Sequence, residues 1–179
     1  MTESTDATPG AEPAAAASGF DAELMDQAIA LARKGKNTPG ASPIGCVIVL
    51  DGVVIGASHN EVGIQHDPTA HAEIVAMRRA CAERGSEDLR GAVLYSTLQP
   101  CGMCTMASIW AHIGRIVYGA GREDVHRMYF EDRHFDTMNF VTDAYRDDLE
   151  VIAGVSRDEC AALYYRPWDD PPEEEQANR

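Results

Sequence analysis

The sequence predicts an α/β protein, a three-layer α/β/α sandwich in which helices cover both faces of a mixed five-stranded sheet. Apolar runs of strand length alternate with amphipathic segments of helical spacing, which favours helices packed on a sheet. The dipeptide Asp51-Gly52 separates two strand-like runs and predicts a hairpin, so the sheet contains antiparallel strands. The chain has 179 residues and no visible repeat, which fits one domain.

Three of the predicted helices are marked by caps or by helical spacing. An amphipathic helix over 21–34 has Asp21 as its candidate cap. A second helix starts near His71, and its apolar face carries Ile74, Met77 and Cys81. Pro100 and Cys101 open a third helix, because proline is tolerated in a first helical turn. The run of that third helix contains Met103, Ala107, Trp110 and Ile113.

The strands follow from the apolar runs between these helices. They are predicted at 44–50, 53–57, 92–97, 115–118 and 149–155. Ser156, with Glu159 three positions later, predicts a capping box for a terminal helix.

The two ends of the chain differ in composition from its body. Residues 1–18 are rich in Ala, Pro, Ser and Thr and contain no basic residue, which predicts a disordered tail rather than a signal peptide. Residues 19–168 form the predicted domain. Residues 169–179 form an acidic tail, whose start is placed to close a site on the domain.

The motif that carries chemistry is split into two parts, His71-Ala72-Glu73 and Pro100-Cys101-Gly102-Met103-Cys104. One imidazole and two thiolates suit Zn²⁺, and three protein ligands leave a coordination position open, as catalytic zinc sites require. The sequence therefore predicts one zinc ion per chain. The partial positive charge at the start of the Cys101 helix favours the thiolate form of both cysteines.

Glu73 is predicted to act beside the metal rather than as a ligand. Residues two apart on a helix do not share a face, so His71 and Glu73 are badly placed to bind one ion together. A carboxylate beside an activated water can accept its proton and pass it on, as general base and then general acid.

Two other interpretations of the cysteines stay open. Cys101 and Cys104 alone have the spacing of a thioredoxin-like redox pair. A closed structural zinc site would need a fourth ligand from elsewhere in the chain. The candidates for that ligand are Cys46, Cys81, Cys160 or another histidine.

Charge and cysteine usage bear on the partner and the compartment. The net charge is −14, and the body still carries −7 when the −3 of residues 1–20 and the −4 of residues 169–179 are set aside. Nucleic-acid binding draws much of its affinity from basic surfaces, so nucleic acid is a disfavoured partner and a small neutral substrate is favoured. A local basic patch formed by Arg78, Arg79 and Arg84 would be an exception, since it could bind nucleic acid despite the negative net charge. The odd number of cysteines and the lack of a long apolar run predict a cytoplasmic protein without membrane partners.

The H-x-E and P-C-x-x-C motifs, in this order, resemble the signature of the cytidine and nucleobase deaminase superfamily. The resemblance implies a cytidine deaminase-like fold and hydrolytic removal of an amino group, with release of ammonia. It also implies a homodimer in which the terminal helix helps to close the partner's site.

Residues 43–132, about half the chain, resemble bacterial guanine deaminases. The resemblance implies that Asn60 holds the base through its amide, that Asp132 is a second catalytic carboxylate near the departing amine, and that Phe130 covers the base. Ile44 departs from this pattern, since those enzymes have Phe there.

The end of the chain resembles fungal cytosine deaminase instead. Arg166-Pro167-Trp168-Asp169-Asp170 is similar to the aromatic and acidic segment that closes that site. Trp168 and Asp169 are accordingly predicted to contact substrate, with Asp170 as the alternative carboxylate. Trp110 is predicted to pack from its helix and is a further candidate substrate contact.

The function predicted from the sequence is zinc-dependent deamination of a free nucleobase or analogue of guanine, cytosine or triazine type. One alternative is a tRNA adenosine deaminase or a nucleoside or nucleotide deaminase. A third hypothesis, of another class, is a zinc-stabilised binding module without turnover.

Overall fold

A computed structural model describes residues 18–130, 137–144 and 146–175. Its strands are β1 (Gly45–Leu50), β2 (Val53–His59), β3 (Val93–Leu98), β4 (Arg115–Ala120) and β5 (Glu150–Ala153). Its α-helices are α1 (Gly19–Lys36), α2 (Val62–Gln65), α3 (Ala72–Arg84), α4 (Gly102–Trp110), α5 (Thr137–Asp143) and α6 (Arg157–Ala161). Short 3-10 helices lie at Arg122–Asp124, Arg127–Tyr129 and Glu173–Glu175.

The five strands form one mixed sheet in the order β2-β1-β3-β4-β5. β1 is antiparallel to both β2 and β3, whereas β3, β4 and β5 are parallel. The predicted five strands and the hairpin are confirmed. The central position of β3 matters for function, because the segment that follows it carries both cysteines of the split motif.

Helices cover both faces of the sheet, as the sandwich prediction requires. Val47 and Val49 of β1 point into the core cluster that contains α1 and α6 residues. Cys46 and Ile48, which alternate with them, point into the opposite cluster with α3 and α4 residues. A Cβ at Gly56 would collide with the backbone carbonyl of Ala76, so this glycine lets α3 lie directly against the sheet.

The cap of α1 differs from the prediction. Ser18 is the N-cap: its hydroxyl accepts a hydrogen bond from Asp21 N, and the Asp21 carboxylate accepts one from Ser18 N, which completes a capping box. The prediction that Asp21 itself caps the helix is wrong by three positions. Ser18 therefore belongs to the domain, while the rest of the predicted tail, 1–17, lies outside the described residues.

The capping box predicted at Ser156 and Glu159 is also wrong. Ser156 precedes α6 but has a left-handed backbone (φ 52°, ψ 42°) and makes no side-chain cap. A capping side chain needs the extended backbone that directs its oxygen at the first helical amides, and the turn after β5 denies Ser156 that conformation. Among the described helices, none is both long and apolar enough to cross a bilayer.

Candidate metal and catalytic site

Three ligand side chains meet where two helices begin. His71 is the N-cap of α3, Cys101 is the N-cap of α4, and Cys104 lies in the first turn of α4. Both helices therefore direct unsatisfied backbone amides and partial positive charge at this point. The split motif is thus assembled by the packing of α3 and α4 on the same face of the sheet.

The distances among the three ligand atoms fit zinc. His71 Nδ1 lies 3.6 Å from Cys101 Sγ and 3.7 Å from Cys104 Sγ, and the two sulfurs are 3.7 Å apart. Tetrahedral zinc, with Zn–S of about 2.3 Å and Zn–N of about 2.0–2.1 Å, separates two sulfurs by roughly 3.8 Å and a sulfur from a nitrogen by roughly 3.6 Å. Within the described part of the chain, none of the other cysteines joins this group, so the fourth cysteine of a closed site is not found there.

The two thiols are electrostatically coupled. A hydrogen bond from the Cys104 thiol, together with the nearby His71, lowers the pKa of Cys101 to about 4 despite its burial. The same hydrogen bond and the burial of Cys104 raise its pKa well above the usual range. One thiolate is therefore available at neutral pH, and metal binding releases the second proton.

Glu73 lies beside the ligand group and is buried, with 3% of its surface exposed. Its Oε1 accepts a hydrogen bond of 2.9 Å from Ser96 Oγ, and its Oε2 lies 3.6 Å from Cys104 Sγ. Burial raises the pKa of Glu73, while His71 lowers it and the negative charge of Cys101 raises it further. A carboxyl group in this environment can hold a proton as well as release it.

A cavity of about 960 Å³ reaches the ligand group at His71, the one of the three ligand residues that lines it. His71 and Asn60 line it together with Ile44, the position that departs from the guanine deaminase pattern. Its other lining residues include Lys36, Met128, Tyr129, Tyr164, Tyr165 and Glu175.

Asn60 is buried, with 5% of its surface exposed, and its side chain is oriented by the backbone. Its Oδ1 accepts a hydrogen bond of 3.2 Å from Val62 N, and its own backbone N–H donates to the carbonyl of Ile44. No described residue accepts a hydrogen bond from Asn60 Nδ2, so this amide group can donate to a ligand in the cavity.

Phe130, which was predicted to cover the base, lies in the protein core. Phe130 is 8% exposed and belongs to the core cluster between the sheet and α1. The Arg122 guanidinium lies 4.2 Å above the centre of the Phe130 ring, and Phe130 is not among the residues that line the cavity. Asp132, the predicted second carboxylate, lies outside the described residues.

The other predicted aromatic contacts are also absent from the cavity lining. Trp110 was predicted to pack from its helix, but it is 75% exposed at the end of α4. Trp168 is 80% exposed, and the Asp169 carboxylate accepts a hydrogen bond from Arg166 N instead of facing the ligand group. The reason is that α6 ends at Ala161, so Tyr164 and Tyr165 reach the cavity before the chain arrives at Trp168.

A wall that was not predicted closes the cavity on this side. The Tyr165 hydroxyl donates a 2.8 Å hydrogen bond to Glu175 Oε2, and the Tyr165 backbone N–H donates to the Tyr129 hydroxyl. The Tyr129 and Tyr164 rings pack edge to face at 5.1 Å. The sequence signal was the Tyr164-Tyr165 pair, which directly precedes the segment that resembles cytosine deaminase.

Two of the three arginines of the candidate basic patch on α3 are paired with acids. Arg78 pairs with Asp67 at 3.2 Å, and Arg79 pairs with Glu61 at 2.7 Å. These two arginines therefore do not present unpaired positive charge to a polyanion.

The sequence model of the cytidine and deoxycytidylate deaminase zinc-binding region matches residues 18–120. Guanine deaminase of Bacillus subtilis (strain 168) is 39% identical over 109 residues, which cover 61% of this chain and 70% of that protein. The tRNA-specific adenosine deaminase of Haemophilus influenzae is 36% identical over 145 residues, which cover 80% of each. The tRNA-specific adenosine deaminase of Bacillus subtilis is 32% identical over 147 residues, which cover 80% of this chain and 85% of that protein.

Solved structures share the fold. A structure from a study of A-to-I editing by tRNA:A34 deaminases has a TM-score of 0.68 and 36% identity, and covers 79% of this chain and 98% of its own. A structure of guanine deaminase from Nitrosomonas europaea has a TM-score of 0.70 and 26% identity, and covers 85% of each chain. The predicted sandwich is confirmed, and the similar proteins include tRNA-specific adenosine deaminases and guanine deaminases.

Proposed function

This chain belongs to the cytidine and deoxycytidylate deaminase family, and from that premise we propose that it hydrolytically deaminates an aminated nucleobase, with adenosine in a transfer RNA as the first candidate substrate. The observation that carries the proposal is the combination of three zinc ligands, a buried carboxylate beside them and a buried amide, that of Asn60, which lines the same cavity as the ligand His71. A structural zinc site has no need of the last two groups.

The family binds zinc, and His71, Cys101 and Cys104 would hold the ion here. Zinc in such a site supplies the nucleophile by lowering the pKa of a water molecule to about 7. Glu73 then accepts the proton of the attacking water at Oε2, the oxygen on the side of the ligand group. Because Glu73 is buried beside the ligand group, it can pass that proton to a ring nitrogen and finally to the departing amine.

Asn60 would hold the substrate ring during this sequence. Its Nδ2 donates to an acceptor on the ring, while its Oδ1 stays fixed by Val62 N. The carbon that loses its amine gains the oxygen of water, so one water is consumed and one ammonia is released. Ring orientation by a fixed donor lowers the entropic cost of reaching the reactive geometry.

One observation supports a transfer RNA substrate. Several of the similar tRNA-specific adenosine deaminases match about 80% of this chain, beyond the zinc motifs alone. Of the hypotheses from the sequence, the alternative is thus better supported than the free-base prediction.

A free base is the second candidate, favoured by electrostatics. Glu175 lies on the cavity wall, and Arg78 and Arg79 are already paired with acids. A carboxylate at this position repels phosphate and tolerates a neutral heterocycle rich in N–H donors. The likeness to guanine deaminases supports the same class of substrate.

The deciding experiment measures ammonia release by the zinc-loaded full chain. The substrates are a stem-loop RNA with one loop adenosine, guanine, cytosine, triazine analogues of both bases, and adenosine with and without a 5′-phosphate. Glu73→Ala protein is the blank. Inosine in the stem-loop, identified by mass spectrometry, supports the first candidate, and release from a base alone supports the second.

Phosphate-dependent release from adenosine would identify a nucleotide deaminase instead. Silence across the panel from protein that contains one zinc per chain would favour the non-catalytic binding module and contradict the proposal. The predicted homodimer is checked on the same sample by analytical ultracentrifugation.

A further inference from the structure

We propose that Ser96 is a positioning residue for the Glu73 carboxylate, a role that rests on the function proposed for Glu73. The sequence assigns Ser96 no role, because it lies 23 positions from Glu73 and outside both parts of the split motif. The structure brings the two side chains together across the interface between β3 and α3.

Ser96 lies on the most constrained strand of the sheet. β3 is central, and Ser96 pairs with Cys46 of β1 on one side and with Tyr118 of β4 on the other. The residue is fully buried. A serine has one side-chain torsion to its hydroxyl oxygen, so fixing the backbone on both sides leaves this oxygen few positions.

The direction of the hydrogen bond is defined by chemistry. An ionised carboxylate can only accept, so the Ser96 hydroxyl donates to Glu73 Oε1 at 2.9 Å. The second oxygen, Oε2, is then left on the side of Cys104 Sγ, at 3.6 Å. The two carboxylate oxygens thus have different tasks: Oε1 is held by β3 and Oε2 faces the ligand group.

The neighbouring residue fixes the same strand from the other face. Thr97 Oγ1 accepts a 3.0 Å hydrogen bond from Gly45 N and lies 2.7 Å from the hydroxyl of Tyr164, a residue of the cavity wall. Because side chains alternate along a strand, Ser96 and Thr97 anchor the end of β3 from opposite sides. The β3 backbone that carries the Ser96 hydroxyl is therefore held in place and does not move with Glu73.

Removal of this hydroxyl leaves Oε1 buried without the Ser96 donor, so the carboxylate loses the contact that ties it to β3. Substrate binding depends on the cavity wall and on Asn60, which Ser96 does not touch. The effect should fall on kcat rather than on KM, because Glu73 acts on the reacting atoms. Substitution of a residue that only stabilised the fold would lower the melting temperature and would not lower kcat selectively.

The test compares Ser96→Thr with Ser96→Val, which have the same shape and differ in the hydroxyl alone. Turnover of zinc-loaded full-length protein is measured with whichever substrate of the panel the wild type deaminates. We expect Ser96→Val to lower kcat by roughly 10–100-fold with KM within about twofold, and Ser96→Thr to stay within about threefold of the wild type. The methyl group of Val also keeps water from replacing the lost hydroxyl, which an alanine would permit.

Two further measurements do not depend on turnover. Zinc content should stay at one per chain in both variants, and crystal structures should show the Glu73 carboxylate rotated in Ser96→Val and unchanged in Ser96→Thr. If melting temperatures show that neither branched side chain is accommodated, Ser96→Ala is compared with the wild type by the same measurements.

Glu73→Gln distinguishes failure of this inference from failure of the proposed function. If Glu73→Gln retains wild-type turnover, the proposed role of Glu73 fails and takes the role of Ser96 with it. If Glu73→Gln is inactive and Ser96→Val equals Ser96→Thr, only the positioning role is overturned. In the double variant, Ser96→Val should lower the residual rate of Glu73→Gln by less than about twofold.

Discussion

The floor and the outer wall of the cavity are built in different ways. The floor is His71, which lines the cavity, together with Glu73 and Cys104, which lie beside it at the first turns of α3 and α4 but do not line the cavity themselves. The outer wall includes Tyr165, in the irregular segment after α6, and Glu175, in the 3-10 helix Glu173–Glu175; both are partly or largely exposed. The floor is buried and preorganised, whereas the wall rests on a few hydrogen bonds at the surface.

This difference separates chemistry from substrate choice. Hydrolysis needs ligand atoms and a carboxylate held to within a fraction of an ångström, which helix starts and a central strand provide. Selection between a base and a polynucleotide needs only the charge and width of the opening, which surface turns can change without disturbing the core. Substitutions on the floor should therefore stop the reaction, and those on the wall should change its substrate.

The largest effect is expected from loss of a metal ligand. Cys101→Ser replaces a soft thiolate by a hydroxyl that binds zinc poorly, so zinc content should fall well below one per chain and turnover should drop to that of the blank. Metal analysis after gel filtration measures the first effect. Cys81→Ser, which changes a cysteine outside the ligand group, is the matched control and should keep its zinc. Full zinc in Cys101→Ser would disprove the ligand assignment.

Glu73→Gln should come next, because it removes proton transfer and keeps the shape of the side chain. We expect kcat to fall by about 10²–10⁴, the usual contribution of general acid–base catalysis, while zinc stays bound. Steady-state kinetics and metal analysis of one preparation separate this result from that of Cys101→Ser. Turnover near that of the wild type would exclude Glu73 as the proton carrier.

Asn60→Asp tests the boundary between floor and wall. Aspartate keeps the oxygen that accepts from Val62 N and loses the Nδ2 donor that we assign to the substrate. The value of kcat/KM should fall by roughly 10–100-fold, the cost of one strong hydrogen bond, with an unchanged melting temperature. A fall in melting temperature together with the fall in kcat/KM would mean that Asn60 stabilises the fold instead of binding the substrate.

A smaller effect is expected at Glu175, on the wall. Glu175→Gln keeps an acceptor for the Tyr165 hydroxyl and removes the charge. Affinity for stem-loop RNA should rise by roughly two- to fivefold at low salt, and the gain should disappear at high salt because exposed charges are screened. Fluorescence anisotropy measures both. Glu173→Gln changes the same turn at a position away from the cavity lining and is the control; an equal gain there would show a general charge effect.

The smallest effect on activity is expected from Asp21, which is buried on the opposite face of the sheet. Its Oδ1 accepts hydrogen bonds from the Tyr95 hydroxyl at 2.7 Å and from Arg115 at 2.8 Å. Asp21→Asn should leave kcat unchanged and lower the free energy of unfolding by about 1–3 kcal/mol, since a charge-assisted network is lost. Asp26→Asn, at an exposed position of α1, should change it by less than about 0.5 kcal/mol.

The contribution of Asp21 should depend on pH. Burial alone would raise the pKa of Asp21, but hydrogen bonds from Ser18 and Tyr95 and the charge of Arg115 lower it below 3.8. Because the pKa of Asp21 is lower in the folded state, Asp21 stabilises the fold fully at pH values above its unfolded pKa of about 3.9. That contribution is lost as the pH falls through the folded pKa. The difference in the free energy of unfolding between wild type and Asp21→Asn, measured by denaturation, should therefore be smaller at pH 3 than at pH 7.

Much of the fold and the floor of the site could be predicted from the sequence. Each of the five predicted strands is present with ends shifted by at most two residues, because apolar runs and turn residues act locally. The predicted zinc ligands come together at two helix starts, as predicted near His71 and at Pro100-Cys101. The helix caps could not be placed from the sequence alone. Ser18 and Asp21 form one capping box, and the extended backbone that makes Ser18 the N-cap is visible only in the structure.

The wall shows the limit of that reasoning. Trp168 was expected to close the site because of a local resemblance, yet it is exposed, while Tyr165 and Glu175 line the cavity. Whether a side chain after a short helix faces a cavity depends on where that helix ends and how the following turn packs. Neither is encoded in a short motif.

By itself, the sequence determined the sandwich, the zinc ligands and the presence of a carboxylate beside them, because strand periodicity and ligand spacing are properties of neighbouring residues. Only the tertiary structure decided that Ser96 holds Glu73 and that Glu175 reaches the cavity of His71. These contacts join residues that lie far apart in the chain, and the order of the strands and the packing of helices on them place such residues within reach of each other.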